Sequence, residues 1–234
     1  MSPPPFALFG HDHLAALALV GLATAVAVAL VRRWPDSPAA RALRIALAAA
    51  LIALYAAEMA VAGAGGWLSW QVGLPLHLCD VALFLAIVAL LAPRLAAHEG
   101  LYFLALSGTL LSLLTPELAW GFPSWDFFIF FVPHGLVVLS AVVLTWGYRL
   151  VPRPGAWWRV LLALHPYAGG VFLVNLWLDT NFLYLRRKPV DASPLDWFGP
   201  WPFYIFTGQA VAAVLFFLLD LPLRPLRRRI ASAA

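Results

Sequence analysis

The apolar positions of this chain form unbroken runs, too long for buried strands and too uniform for amphipathic surface helices. Seven such runs, at approximately 12–31, 41–62, 74–92, 100–116, 127–148, 158–178 and 200–220, match or approach the roughly 20 residues a helix needs to cross the hydrocarbon core. None alternates with the period of two that a barrel strand requires. Proline and glycine punctuate the joins at Trp34 to Pro38, Gly63 to Gly66, Pro152 to Gly155 and Gly199-Pro200. The pattern predicts an all-α, polytopic membrane protein: seven transmembrane helices in a single domain over residues 1–234, with the fourth run the shortest. No heptad, long linker or internal repeat accompanies them, which argues against an inverted-repeat transporter.

Composition sharpens this. Hydrophobic residues are 63% of the chain and charged residues 11%, too few charges to cover a soluble domain and too much hydrophobicity for disorder. The single cysteine cannot form an intrachain disulfide. The net charge of +4 becomes informative once its residues are placed. With the N-terminus outside, Arg32, Arg33, Arg41, Arg44, Arg94, Arg149, Arg153, Arg159, Arg224, Arg227, Arg228 and Arg229 fall at cytoplasmic ends, and only Arg186, Arg187 and Lys188 fall outside. The positive-inside rule therefore predicts an outside N-terminus and a cytoplasmic C-terminus. All 11 tryptophans lie in joins or near span ends, as interfacial indoles should. The first run lacks a basic leader and is followed by Arg32-Arg33, so it reads as a retained anchor. The basic tail, Arg224 to Arg229, predicts contact with anionic lipid rather than nucleic acid.

Ionisable residues inside spans are costly and mark function or pairing. Glu58, His77, Cys79, Asp80, His134 and Asn175 all fall in the outer half of the predicted spans, with Glu117 and Asp126 bracketing an outer join. His165 lies roughly 10 Å from the inner end of its helix and belongs elsewhere. In Leu74-Pro75-Leu76-His77-Leu78-Cys79-Asp80 the proline suits a first helical turn. His77 and Asp80, three apart, share a face on which Asp80 can hold the His77 ring. The helix N-terminus or an imidazolium can stabilise a Cys79 thiolate, while Asp80 opposes a second negative charge. Pro133 predicts a bend where His134 projects. A cysteine with a histidine from another helix suffices for covalent acyl transfer, the base taking the thiol proton and the sulfur attacking an ester carbonyl.

Plainer readings stand beside this one. Cys79 can be a small buried hydrophobe, and His134 can satisfy a carbonyl freed by Pro133. The only lysine, Lys188, lies in a join, which excludes a retinal Schiff base. His77 and His134 can supply one haem-ligand pair but no second, and zinc ligation by His77, Cys79, Asp80 and His134 lacks a specific spacing. No cofactor or metal is implied.

The segment Asn175, Asp179, Asn181-Phe182-Leu183-Tyr184-Leu185, Lys188-Pro189, Leu195-Asp196 and Gly199-Pro200-Trp201-Pro202 resembles the signature of the bacterial YwaF-like integral membrane proteins. The Leu74 to Cys79 turn and Pro133-His134 are similar as well. That family is similar to the transmembrane protein 164 acyltransferases and, more distantly, to the androgen-induced membrane hydrolases. The resemblance implies a cysteine nucleophile and a later histidine acting on phospholipid acyl chains, roles that fit Cys79 and His134.

Residues and resemblance together lead to one expectation: a multi-pass enzyme of the cell membrane that transfers or hydrolyses a lipid acyl group, with a phospholipid or lysophospholipid as substrate. Cys79 is the expected nucleophile and His134 the base, oriented by Asp80, His77 or Glu58. Asn175 and Asn181 are candidate oxyanion donors, and Arg186, Arg187 and Lys188 candidate headgroup contacts. The alternative is a transporter or ligand-binding membrane protein with an outward-facing polar site, which Pro75, Pro116 and Pro133 favour. A purely structural protein would scatter Glu58, Cys79 and His134 among different neighbours.

Overall fold

The structure, a computed structural model, describes residues 3–92, 94–189 and 193–232. Among these, seven helical stretches are long and apolar enough to span a bilayer: His11–Arg33, Pro38–Ala64, Trp70–Leu91, Leu95–Leu114, Trp125–Gly147, Ala156–Leu178 and Phe203–Ala231. Each overlaps one predicted run. The local elements are α1 (His11–Arg33), α2 (Pro38–Ala64), α3 (Trp70–Gly73), α4 (Leu78–Leu91), α5 (Leu95–Leu104), α6 (Leu110–Leu114), α7 (Trp125–Val142), α8 (Ala156–Leu178), α9 (Phe203–Asp220) and α10 (Leu223–Ala231).

Helix starts follow the capping chemistry. Ser37 Oγ accepts the Ala40 N–H at 3.1 Å with Pro38 in the first turn of α2, and Ser124 Oγ accepts the Phe127 N–H at 3.1 Å at the start of α7. The third span departs from expectation. Pro75 does not sit in a first turn; it separates α3 from α4. A proline pushes its preceding residue out of the α region, and Leu74 is extended at φ −92°, ψ 123°. The helix resumes only after His77, its extended N-cap.

The fourth and fifth spans are central. Buried residues make up 61% of each, against 11–28% for the other five. This explains why the fourth is the weakest apolar run: packed against protein rather than lipid, it carries His98, Glu99, Ser107 and Thr109. A π-helical turn, Ala105–Thr109, joins α5 to α6, and another, Val143–Gly147, ends the fifth span. Both widen the helix locally, a distortion often found beside functional sites.

Because lipid tails are as apolar as leucine, the helices associate through close packing and interhelical polar contacts. Ala82, Ala86 and Ala89 of α4 are fully buried within the main core, small enough to let backbones approach. Tyr148 Oη donates to Ala40 O at 2.6 Å and Tyr102 Oη to Leu219 O at 2.9 Å. His13, fully buried beneath Phe6 and Phe131, bonds Leu113 O at 2.8 Å through Nε2 and accepts the Phe9 N–H at Nδ1. Leu19, Leu22, Leu173 and Phe206 instead face outward and remain exposed, as lipid-facing residues must.

The arginines meet at one end. Glu99, buried between α5 and the 149–159 segment, accepts from Arg153 N, Nε and Nη2 at 2.9, 2.8 and 2.9 Å and from Arg159 Nη2 at 3.2 Å. Asp220 pairs with Arg227 at 2.6 Å and Arg224 at 3.5 Å, and Arg227 Nε reaches Pro152 O at 2.7 Å. A bidentate guanidinium grip is the geometry in which a buried carboxylate can stay charged.

Candidate functional site

At the opposite end, the break between α3 and α4 opens a cavity of about 490 Å³. Its polar wall gathers Glu58 from the last turns of α2, Gln71 from α3, the N-cap His77, Cys79 and Asp80 from the first turn of α4, and His134 from α7. Glu117 and Asp126 complete the rim, and Thr109 of the first π-helical turn lines the interior. Seven of the predicted polar residues, Glu58, His77, Cys79, Asp80, Glu117, Asp126 and His134, scattered over nearly 80 positions, thus share one chamber. Asn175, Asn181, Arg186, Arg187 and Lys188 do not line it.

Local folding sets each orientation. Asp80 Oδ2 accepts the His77 backbone N–H at 3.0 Å, closing the N-terminus of α4. The expected grip of Asp80 on the His77 ring is not formed, because the carboxylate is engaged by the backbone. The ring meets Gln71 instead. The Asn181 N–H can only donate, so at 2.8 Å it fixes Gln71 Oε1 and turns the Gln71 amide nitrogen towards His77 Nε2, 3.3 Å away. His77 Nε2 then accepts from that amide. Phe182 packs edge-on against the same ring with centroids 5.1 Å apart.

His134 has a complementary arrangement. Its Nδ1 lies 2.8 Å from Phe130 O, and a carbonyl can only accept, so Nδ1 carries the proton of the neutral ring and Nε2 holds a lone pair. Stacking on Phe130, at 4.3 Å and 20° between planes, fixes the ring plane. The carbonyl that Pro133 deprives of its helical partner belongs to Ile129; the ring takes the next one along. Cys79 and His134 are both partly exposed to the chamber. Among the described residues no hydrogen bond joins them; catalytic contacts of this kind commonly tighten only when substrate is bound.

Behind His77 lies the loop after α8. Asn175 is fully buried and holds this loop closed: Nδ2 donates to Phe182 O at 2.9 Å, while Oδ1 accepts from Thr180 Oγ1 at 2.9 Å and Phe182 N at 2.8 Å. Asn181 repeats the device, donating to Arg187 O at 2.8 Å and accepting the Arg186 N–H at 3.1 Å. These clips hold three non-glycine residues, Asp179, Leu183 and Tyr184, at φ between 52° and 57°, uncommon for ordinary side chains. Arg186 Nη1 bonds Asp179 at 2.6 Å and the carbonyls of Asn175 and Thr180 at 3.1 and 3.2 Å. Its guanidinium holds the Asp179 carboxyl below the ordinary range. Lys188 lies 3.7 Å from Asp196 and over the Tyr204 ring. Arg187 is exposed, with no side-chain partner among the described residues. The Tyr184 phenol is raised by burial and then by the Glu117 charge, and Tyr184 O accepts the Tyr204 hydroxyl.

His165 lies apart, lining a 250 Å³ cavity between α8 and α9 with Tyr167 and Gln209. Sequence reasoning missed Gln71 as the hinge of the His77 wall. The available signal was a lone amide in the apolar Trp70 to Gly73 stretch, directly before the proline break. It also missed Glu99, whose partners are 54 and 60 residues away.

The model of the TMEM164 family matches residues 8–220, a range that contains the whole chamber and its supporting loop. No curated protein and no solved structure matches the chain.

Proposed function

The chain belongs to the TMEM164 family, and on that premise we propose that this multi-pass membrane protein transfers or hydrolyses acyl groups of membrane phospholipids, in the chamber that Cys79 shares with His134. One observation carries the reading: the lone cysteine and a histidine with a free Nε2 lone pair line a single cavity in a membrane-spanning bundle. In the first step Nε2 of His134 takes the Cys79 thiol proton as Sγ bonds to the ester carbonyl carbon. The tetrahedral intermediate collapses, the ester C–O bond breaks, and the imidazolium returns its proton to the departing alcohol. The hydroxyl of a lysophospholipid, or water, then attacks the thioester by the same route and regenerates the thiol.

Developing negative charge on the carbonyl oxygen needs donors already in place. The N–H groups of Leu78 and Cys79, in the first turn of α4 where no helical carbonyl can pair them, provide them beside the sulfur. Asn175 and Asn181 act in this reading by positioning the loop behind His77, since their amides already donate within it. Glu58, His77 and Asp80 shape the polar wall. Headgroup phosphate is met first by Arg187, with Arg186 and Lys188 flanking it. The YwaF-like likeness of the 175–202 segment and placement in the cell membrane belong to the same proposal, as does the orientation with the chamber at the outer leaflet, the arginine-rich end being cytoplasmic.

The test is purified protein in lipid nanodiscs given chain-labelled phospholipid and a lysophospholipid acceptor. Cys79→Ala and His134→Ala are expected to lower acyl transfer at least about a hundredfold without shifting the melting temperature. Equal turnover by wild type and both variants would falsify the mechanism. Four carboxylates on the same wall, Glu58, Asp80, Glu117 and Asp126, favour a second reading, a site for a cationic solute. Saturable solute uptake into liposomes, lost in Glu58→Gln but retained in Cys79→Ala, would select it.

A further inference from the structure

The arginines at the far end of the bundle divide into two groups that sequence alone does not separate. Arg153 and Arg159 are ion-paired with Glu99, and Arg224 and Arg227 with Asp220. Arg32, Arg149 and Arg229 form no ion pair among the described residues, yet they converge from three elements on one small pocket. Arg32 is the penultimate residue of α1, Arg149 follows the π-helical turn that closes the fifth span, and Arg229 lies in the last turn of α10. The remaining lining is Trp146, Leu226 and Ile230.

We infer that this pocket binds the phosphate of an anionic lipid headgroup, a site separate from the chamber around Cys79 and independent of the acyl-transfer reading. Three observations point to that occupant. The volume, about 70 Å³, exceeds the roughly 10–15 Å³ needed by one water and leaves room for a group several waters in size. Three arginines without an ion-pair partner among the described residues line one pocket, where their charges repel one another unless an anion lies between them, and arginine matches phosphate oxygens through paired N–H donors. The depth is that of the headgroups: Arg32 and Trp146 sit at the ends of the spans His11–Arg33 and Trp125–Gly147, where indole rings settle at the membrane surface. α10 supports this placement. Leu223, Leu226 and Ile230 form its apolar stripe, with Leu223 fully buried, while Arg224, Arg228 and Arg229 are exposed, the pattern of a basic helix lying in the interface. Arg149 has φ 57°, a backbone state a non-glycine residue adopts only when its surroundings hold it there.

The experiment uses the full chain in neutral detergent, with binding read from the thermal unfolding midpoint during titration of dioctanoyl phosphatidylglycerol, dioctanoyl phosphatidylcholine or inorganic phosphate. The expected result is saturable stabilisation by phosphatidylglycerol alone. R32Q/R149Q/R229Q should weaken it on the order of a hundredfold, at about fivefold per arginine near the surface. The matched control R41Q/R94Q/R228Q removes three exposed arginines that do not line this pocket, and should change it less than about threefold. Equal loss in both triple variants would reduce the site to diffuse charge and overturn the proposal. So would stabilisation by phosphatidylcholine equal to that by phosphatidylglycerol, or stabilisation by inorganic phosphate alone, which would mark a free-anion site. If the first triple variant melts too low to titrate, R149Q alone is measured against R228Q: about fivefold weakening in R149Q and little change in R228Q are expected, and equal loss in both overturns the proposal.

Discussion

At the residue scale, the chamber depends on tautomers and amide directions set by neighbours that sequence spacing did not indicate. Asp80 and His77 were expected to meet as side chains, being three apart on a helix. They meet instead as side chain and backbone, because Pro75 delays the helix and makes His77 its cap. The free nitrogen of His134 exists because Phe130 O occupies the other one. One ionic contact in the supporting loop gives a pH prediction. Arg186 depresses the Asp179 carboxyl, so the pair's stabilisation is fully present above the ordinary aspartate value of about 3.9 and is lost as pH falls through the depressed one. Hydrogen exchange of the 179–187 loop should therefore be flat between about pH 5 and 8 once corrected for intrinsic rates, and rise only below about 4. Asp179→Asn should remove that acid limb. If loop protection instead changes near neutrality, the Asp179 pair is not what holds the loop.

At the element scale, helices are broken where chemistry-bearing residues gather and tightly packed where they are not. The proline gap before α4, Pro133 in α7 and the π-helical turn ending at Thr109 all border the one chamber. α1 and α7 show the opposite, a close contact permitted by a missing side chain. A Cβ on Gly135 would lie 2.7 Å from Val20 Cγ2, and a β-branched valine has few rotamers with which to yield. Gly135→Ala should therefore destabilise the bundle by about 1–3 kcal/mol. Gly170 of α8 has nothing within 4 Å of such a Cβ, and Gly170→Ala should be neutral or stabilising by up to about 1 kcal/mol. Chemical unfolding in mixed micelles compares the two. Equal effects would show that helix propensity, and not the α1–α7 contact, controls the outcome.

At the scale of the whole molecule, the bundle has a basic end held by Glu99 and Asp220 and an acidic, histidine-bearing chamber at the other. This polarity predicts the topology. Because Cys79 is the only cysteine, a Cys79→Ala background carrying one cysteine at Ser232 or at His11 reports the side of each end. An impermeant maleimide applied to intact cells should label the His11 position and spare Ser232 until the membrane is opened. The reverse pattern would turn the chamber to the cytoplasmic leaflet. The fourth span carries His98, Glu99, Ser107 and Thr109 buried against protein, which is why it was the weakest run: a helix shielded from lipid need not be apolar all round, although the equally buried fifth keeps a mean hydropathy of 2.4.

Seven helices, their approximate limits and the polarity of the arginines were legible in the sequence, since each follows from local composition: about 20 apolar residues span a bilayer whatever their neighbours. The concentration of Glu58, His77, Cys79, Asp80 and His134 at one depth was legible for the same reason, depth being position along a helix. Tertiary structure alone decided which helix faces meet. It placed those five around one cavity, assigned Asn175 and Asn181 to the loop behind it, and brought Gln71 to His77. It also separated four ion-paired arginines from a trio that lines one pocket. The physical reason is that rotation and packing of helices in a membrane depend on contacts between distant residues, such as Glu99 with Arg153 and Gln71 with Asn181, and no local period encodes them.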